Sequence, residues 1–219
     1  MREQAALEME DVSIQFDGRP VLNGFSMCVA AGEKVALTGP SGVGKSTVLR
    51  CLLGLAAPAA GRIRICGEPL DGRSVWTLRR RMAYVPQEPQ MGSGTAGEIL
   101  RRPFEYRANA AHLANLDRLP ELLGGFGLDR SILNQDSGAL SGGEKQRLAW
   151  IGALLLGRPI LLLDEASSAL DEASRKAAAD LLHAAAGVTV LSVSHDVQWR
   201  KLFSRSVTIS PRAEQGDAP

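Results

Sequence analysis

Cysteine is scarce in this chain and unpaired. Cys28, Cys51 and Cys66 are odd in number and show no Cys-x-x-Cys spacing, which excludes a disulfide framework and a cysteine-built zinc site. They read as small core residues kept reduced. An excess of one charge is missing too: 25 Lys and Arg face 24 Asp and Glu, a net charge of +1, so nothing points to a polyanion partner. Long apolar runs are absent, and none approaches the ~18 residues of a membrane span. The charged N-terminus lacks the apolar core of a secretion signal, and the expectation is a soluble, cytosolic chain. Histidine is sparse and scattered; His112 and His183 read as solvated helix residues. There is no internal repeat, no long coiled coil and no low-complexity tract beyond short Ala clusters. What remains is 219 residues, enough for one large domain or two small ones with a real core.

The stretch that organises the rest is Gly39-Pro40-Ser41-Gly42-Val43-Gly44-Lys45-Ser46-Thr47, which has the Gly, four residues, Gly-Lys-Ser spacing of a phosphate loop. Its glycines let successive backbone N–H groups point inward at an anion, and the helix that follows adds its positive end. In that geometry Lys45 reaches the β- and γ-phosphates and the Ser46 hydroxyl is placed for Mg²⁺. The flanks supply the required context, because 34–38 is a short apolar run that reads as a buried strand and 46–53 reads as a helix. Binding of a nucleoside triphosphate is the expectation.

Ahead of the loop, Leu7 and Met9, then Val12, Ile14 and Phe16, alternate with polar residues in two phases, which predicts a strand with a bulge near Asp11. Asp17-Gly18-Arg19-Pro20 is a turn, and Phe25, Met27 and Val29 mark a second alternating strand. Phe16, just before the turn, is read two ways: as a ring that stacks on a base, and as an ordinary strand aromatic. Residues 62–66 and 82–85 read as strands ended by Gly67 and Pro86, with Gln87 directly after the second. From 88 to 138 the chain is richer in Arg, Ala, Leu and Asn, with helices expected over 96–102 and within 111–123. That texture has no strand pattern and reads as a helical subdomain inserted into an α/β core. Past Leu140 a helix carries Leu148, Ile151 and Leu155 on one face. Residues 160–164 form an apolar strand ending in a carboxylate, 188–192 repeat the type without the acid, 207–209 suggest an edge strand, and 211–219 a frayed tail. Apolar runs alternating with helices predict a mainly parallel sheet covered on both faces.

A phosphate loop alone suits a kinase, a GTPase or a motor, so the second half of the chain decides. Asp164, closing its apolar strand, is the acid that completes the metal site in such nucleotidases. Glu165 is read either as a base that takes a proton from an attacking water or as a helix N-terminal acid favoured by the dipole. Ser141, Gly142 and Gly143 lead into a helix and form a second anion site. One chain seldom needs two γ-phosphate sites. The economical expectation is that the second closes on the nucleotide of another copy, burying ATP between two subunits.

Gly39 to Thr47, Gln87, Leu140 to Glu144, Leu162 to Glu165, Ser168-Ala169-Leu170-Asp171 and Ser194-His195-Asp196 together resemble the motif set of ATP-binding cassette (ABC) ATPases, in order and over nearly the whole chain. The resemblance implies one domain: a RecA-like core over 1–87 and 139–210 that includes an N-terminal antiparallel β part, a helical subdomain over 88–138, and a flexible tail over 211–219. It implies ATP and Mg²⁺ as cofactors. Gly39, Pro40, Ser41, Gly42, Val43, Gly44, Lys45, Ser46 and Thr47 then hold the phosphates, Ser46 and Gln87 approach Mg²⁺, and Asp164 supports the metal through its shell. Glu165 becomes the general base and His195 the γ-phosphate sensor, completing a catalytic set with Lys45 and Gln87. Ser141, Gly142 and Gly143 bind the partner's ATP, Asp171 connects the two sites across the dimer, and Phe16 matches the adenine-stacking aromatic. Two departures stand out: Glu144 where Gln is commoner, and a short helical insert.

The implied function is the ATP-hydrolysing subunit of an ABC membrane transporter. Such a subunit lies on the inner face of the cell membrane through an integral membrane permease, pairs with a second ATPase copy, and touches neither nucleic acid nor cargo. Within the family, Thr38-Gly39-Pro40, Pro103-Phe104, Ser131-Ile132-Leu133 and 140–147 with Lys145 resemble the Fet-type iron-export group. Cassettes for lipoprotein or peptide efflux, or for amino-acid import, are the alternatives among transporters. A soluble ABC ATPase acting on DNA or ribosomes is the alternative outside them.

Overall fold

A computed structural model describes residues 4–16 and 19–210. The Asp17-Gly18 turn, the tail over 211–219 and the side chain of Phe16 lie outside what is described. Strand β1 (Ala5–Phe16) pairs antiparallel with β2 (Arg19–Ala30), and its register slips between Met9 and Val12, where Asp11 takes a positive φ of 49°. The bulge explains the two phases. Without the extra residue Val12 and Ile14 would point away from the face that buries Leu7 and Met9; with it all four are buried.

The chain then runs through β3 (Lys34–Thr38), α1 (Lys45–Leu52), β4 (Ala60–Ile65), β5 (Glu68–Pro69), α2 (Val75–Arg79) and β6 (Met82–Val85). After these come α3 (Ala96–Arg101), α4 (Leu119–Gly125), α5 (Gly142–Leu155), β7 (Ile160–Asp164), α6 (Glu172–Ala184), β8 (Thr189–Val193), α7 (Val197–Arg200) and β9 (Arg205–Thr208). A five-stranded parallel sheet has the order β6-β7-β8-β3-β9, with β9 at its edge. The antiparallel sheet, β2-β1-β4-β5, is not purely N-terminal, because β4 returns to pair with β1.

Both faces of the parallel sheet are buried, and the strands divide their side chains between two cores. Leu161 and Leu163 of β7 face the core built with α5 and α6, while Ile160 and Leu162 face the core shared with α1 and the antiparallel sheet. A strand covered on both sides needs apolar residues at every position, which is why β7 shows no polar alternation. Each such leucine contributes about 1.5–3 kcal/mol by leaving water.

Between β6 and α5 the described residues hold helical segments and one isolated bridge, Thr95 to Asp136. The helix expected within 111–123 is replaced by a 3-10 segment, Arg107–Arg118, with no buried residue, followed by α4. Polar side chains hold this segment down instead. Asn109 Nδ2 donates to the Pro103 carbonyl at 2.7 Å, Asn115 Nδ2 to that of Leu155 at 2.8 Å, and Arg158 bonds to both Asn109 and His112. Asparagine competes for backbone in this way, and Pro120 restarts the α-helix in its first turn. His112 is therefore half-buried against Arg158 rather than solvated, whereas His183 is exposed. The cysteines are free, but only Cys51 is a core residue, its thiol pushed up to about 11 by burial; Cys28 is exposed. No helix among the described residues is long and apolar enough to cross a membrane.

Candidate nucleotide site

Parallel strands deliver whatever follows them to one edge of the sheet. The register pairs Val85 with Leu163, Leu163 with Ser192, and Leu37 with Val193, so β6, β7, β8 and β3 end level with one another. Four segments distant in sequence therefore meet: the phosphate loop after β3, Gln87 after β6, Asp164 and Glu165 at the end of β7, and His195 after β8. Gln87, Glu165 and His195 line a cavity of about 400 Å³ with Ser41, Gly42, Gly44, Lys45, Ser46 and Thr47, and Asp164 is joined to it through its hydrogen bond from Ser46.

The loop's shape depends on its positive-φ glycines, two of which are also closely hemmed in. Gly39 has φ 147°, and a Cβ there would lie 2.6 Å from the Ile209 carbonyl oxygen; Gly44, the residue that opens α1, has φ 102°. Lys45 is buried and folds back along the loop, Nζ donating to the carbonyls of Gly39 at 2.9 Å and Pro40 at 2.8 Å. Pro40, Ser41, Gly42 and Val43 also border a groove of about 830 Å³ that runs between β2 and the end of β9. Phe16 closes β1, and its side chain is not described, so its stacking role rests on the sequence.

Ser46 Oγ donates to Asp164 Oδ1 at 2.8 Å, and Tyr84 Oη donates to Asp164 Oδ2 at 3.2 Å. The buried carboxylate is thus held on both oxygens. Burial first, and then the Asp164 charge, hold the Tyr84 phenol far above its ordinary range, which keeps it a donor. Hydroxyl, carboxylate and amide oxygens are the hard donors Mg²⁺ prefers, so Ser46, Asp164 and Gln87 fit that ion. No cluster of three His, Cys, Asp or Glu among the described residues could hold a metal, and such a cation would complete its shell with phosphate and water.

Glu165 does not begin a helix, since α6 starts at Glu172. It stands in the left-handed region at φ 47°, its N–H donating to the Val193 carbonyl at 3.0 Å and its carbonyl accepting from Ser168 Oγ at 2.8 Å. Its carboxylate faces His195: the His195 backbone N–H donates to Oε2 at 3.3 Å, and Nε2 lies 3.4 Å from Oε1.

Ser141, Gly142 and Gly143 do not line this cavity. Ser141 caps α5 in a capping box, its hydroxyl donating to Glu144 Oε2 at 2.7 Å while the Glu144 N–H donates to Ser141 Oγ at 3.3 Å. The Ser141 hydroxyl, with its N–H, holds the Glu144 carboxyl below the usual glutamate range. Asp171 caps α6 and lies 3.0 Å from Arg147 of α5; the Ser174 N–H, foremost, draws its carboxyl down. Gly142 instead lines a groove of about 510 Å³ with Gln87, Met91, Gly138, Lys145 and Gln146. Gln87 is the residue common to the groove and the cavity.

Sequence reasoning missed Tyr84 and Gln146. A tyrosine in the strand beside β7 needs a partner for its hydroxyl, and that was the available signal. Gln146, wholly buried on α5, donates from Nε2 to the carbonyls of Pro86 at 3.2 Å and Ala166 at 3.3 Å, the neighbours of Gln87 and Glu165.

An anion cradle beside a hydroxyl–carboxylate pair and a second acid is what a phosphate-loop nucleoside triphosphatase uses to hold and cut a phosphoanhydride. The profile of the ABC transporter family matches residues 22–168. SCO3161 of Streptomyces coelicolor, which carries an ABC transporter ATP-binding protein name, is 35% identical over 98% of this chain and 83% of its own length. An ATP-dependent lipid A-core flippase of Ralstonia nicotianae is 37% identical over 89% of this chain and 34% of its own. The chain spans about a third of the length of several curated relatives it matches. Among solved structures, a post-hydrolysis dimer of the ATP-binding cassette MJ0796 bound to ADP and Pi superposes with a TM-score of 0.81 at 27% identity, covering 94% of this chain and 97% of that one. The chain belongs to the ABC transporter family, as an ATP-hydrolysing cassette.

Proposed function

We propose that two copies of this chain close on two ATP molecules and that the resulting cycle drives an exporting ABC transporter through an integral membrane permease. The observation that carries the reading is the capped, solvent-facing start of α5: Ser141 and Gly142 are exposed and stand apart from the cavity that holds Lys45 and Glu165. A second anion site turned outward fits the nucleotide of a facing copy. The MJ0796 cassette bound to ADP and Pi is a dimer, which supports the same arrangement.

In the closed pair, the backbone N–H groups of Ser41 to Thr47 and the Lys45 ammonium hold the β- and γ-phosphates. Ser46, Gln87 and, through its shell, Asp164 would hold Mg²⁺, which would supply neutralising charge to the phosphates. Glu165 takes a proton from the water whose oxygen attacks the γ-phosphorus, and the bond to the β–γ bridging oxygen breaks. His195 contacts the transferred phosphoryl group. Loss of the γ-phosphate then removes the bridge between Lys45 on one copy and Ser141 on the other. Gln87 leads from the core into residues 88–138 and borders both the cavity and the groove, so it would carry a change at the nucleotide into that segment, and the groove beside it is where a permease helix docks.

Iron or another metal ion is the cargo the Fet-type stretches favour; the likeness to the lipid A-core flippase supports a lipid as the second reading. Purification of the tagged chain from detergent-solubilised membranes is expected to bring down an integral membrane protein, and cells lacking the chain are expected to accumulate iron. Recovery of only ribosomes or nucleic acid would end the transport reading; unchanged iron would end the iron reading alone.

A further inference from the structure

Glu165 keeps a left-handed backbone that a residue with a Cβ holds only when its surroundings over-determine it. Two of the restraints are its own N–H on Val193 and its own carbonyl on Ser168. The third acts one residue on. Ala166 is buried, and its carbonyl accepts Trp150 Nε1 at 2.9 Å as well as Gln146 Nε2 at 3.3 Å. Trp150 is wholly buried on α5, with Phe126 at 6.3 Å and Trp199 at 5.9 Å between ring centroids, the latter edge-on at 76°. Packed between these rings, the indole N–H has the Ala166 carbonyl as its acceptor. An aliphatic side chain would fill part of this volume and offer no donor.

Trp150 does not line the cavity, and its hydrogen bond to the segment that carries Glu165 is the one to the Ala166 carbonyl. We propose that Trp150 is a positioning residue for ATP hydrolysis, its indole N–H fixing the Ala166 carbonyl and thereby the orientation of the Glu165 carboxylate toward the phosphate loop. This rests on the reading of Glu165 as proton acceptor.

The test is steady-state ATP hydrolysis by the full chain as wild type, Trp150→Phe, Glu165→Gln and the double variant. Incorporation of 3-benzothienylalanine at position 150 adds a form that keeps the fused ring and loses only the donor. Both donor-free forms are expected to show kcat reduced about tenfold, the worth of one neutral hydrogen bond to the transition state. KM for ATP and the affinity for mant-ATP should stay within about twofold, because the phosphate loop is untouched. In the Glu165→Gln background, Trp150→Phe should change the residual rate by less than about twofold, since the two act in series. Wild-type kcat in the donor-free forms, or a full second tenfold loss in the double variant, would overturn the proposal. If Trp150→Phe does not fold, the benzothienyl form decides on the same criteria. Glu165→Gln at wild-type turnover would overturn the general-base reading itself. Glu165→Gln inactive with donor-free forms at full kcat would overturn only the role of Trp150.

Discussion

At the scale of single residues, the phosphate loop was legible because its chemistry is local: glycines, a lysine and a hydroxyl within nine positions dictate both the backbone shape and the ligand. Gly39 shows how tightly that shape is set. A methyl group there meets the Ile209 backbone carbonyl oxygen first and Val43 Cγ1 at 2.9 Å next, and the φ of 147° is foreign to residues with a Cβ. Gly39→Ala is expected to weaken ATP binding by about five- to 150-fold, as strain of ~1–3 kcal/mol would do, and mant-ATP titration reads it directly. Unchanged affinity would mean the loop has another shape. Tyr84 and Trp150 were not legible, since their partners lie 80 and 16 positions away and the sequence names no pairs. His195 stands between the two cases: its side chain meets Glu165 across the sheet edge, a contact only the parallel register supplies. His195→Ala should abolish turnover while leaving ATP affinity intact; full kcat would remove the imidazole from the mechanism.

At the scale of elements, the strands over 34–38, 82–85 and 160–164 were read to the residue, because an apolar run covered on both faces has no alternative use, whereas β2 runs from Arg19 to Ala30, taking in Arg19 and Pro20 that were read as turn, and β5 carried no apolar pattern. The 3-10 segment Arg107–Arg118 was not, since side-chain bonds to Pro103, Leu155 and Arg158 decide its course. The helix starts explain a substitution that the sequence marked only as a departure. Glu144 completes the capping box of α5 by accepting from the Ser141 N–H and hydroxyl, a Ser-x-x-Glu pattern visible in the sequence. Its folded value lies below the ordinary 4.5, so its contribution is present above pH 4.5 and is lost as pH falls through the lowered folded value. Asp171 at the start of α6 behaves in the same sense. The thermal midpoint of wild type is therefore expected to exceed that of Glu144→Gln by a margin that shrinks below about pH 4.5. A margin constant through that acid range would place the stabilisation elsewhere.

At the scale of the whole molecule, the alternation of apolar runs and helices was enough to give the parallel sheet, but not the division of strands between two sheets. Periodicity says which face of a strand is buried and nothing about its neighbour, so the return of β4 to β1 came only with the structure. The same limit applies to assembly. One chain brings Lys45, Ser46, Gln87, Glu165 and His195 to one cavity and leaves Ser141 outside it. The central claim is that a second copy supplies what is missing. The direct measurement is the mass of Glu165→Gln by size-exclusion chromatography with light scattering, with and without ATP and Mg²⁺. Twice the monomer mass with ATP, returning to monomer without it or with Ser141→Ala added, is the expected result. A monomer that remains monomeric while saturated with ATP would contradict it.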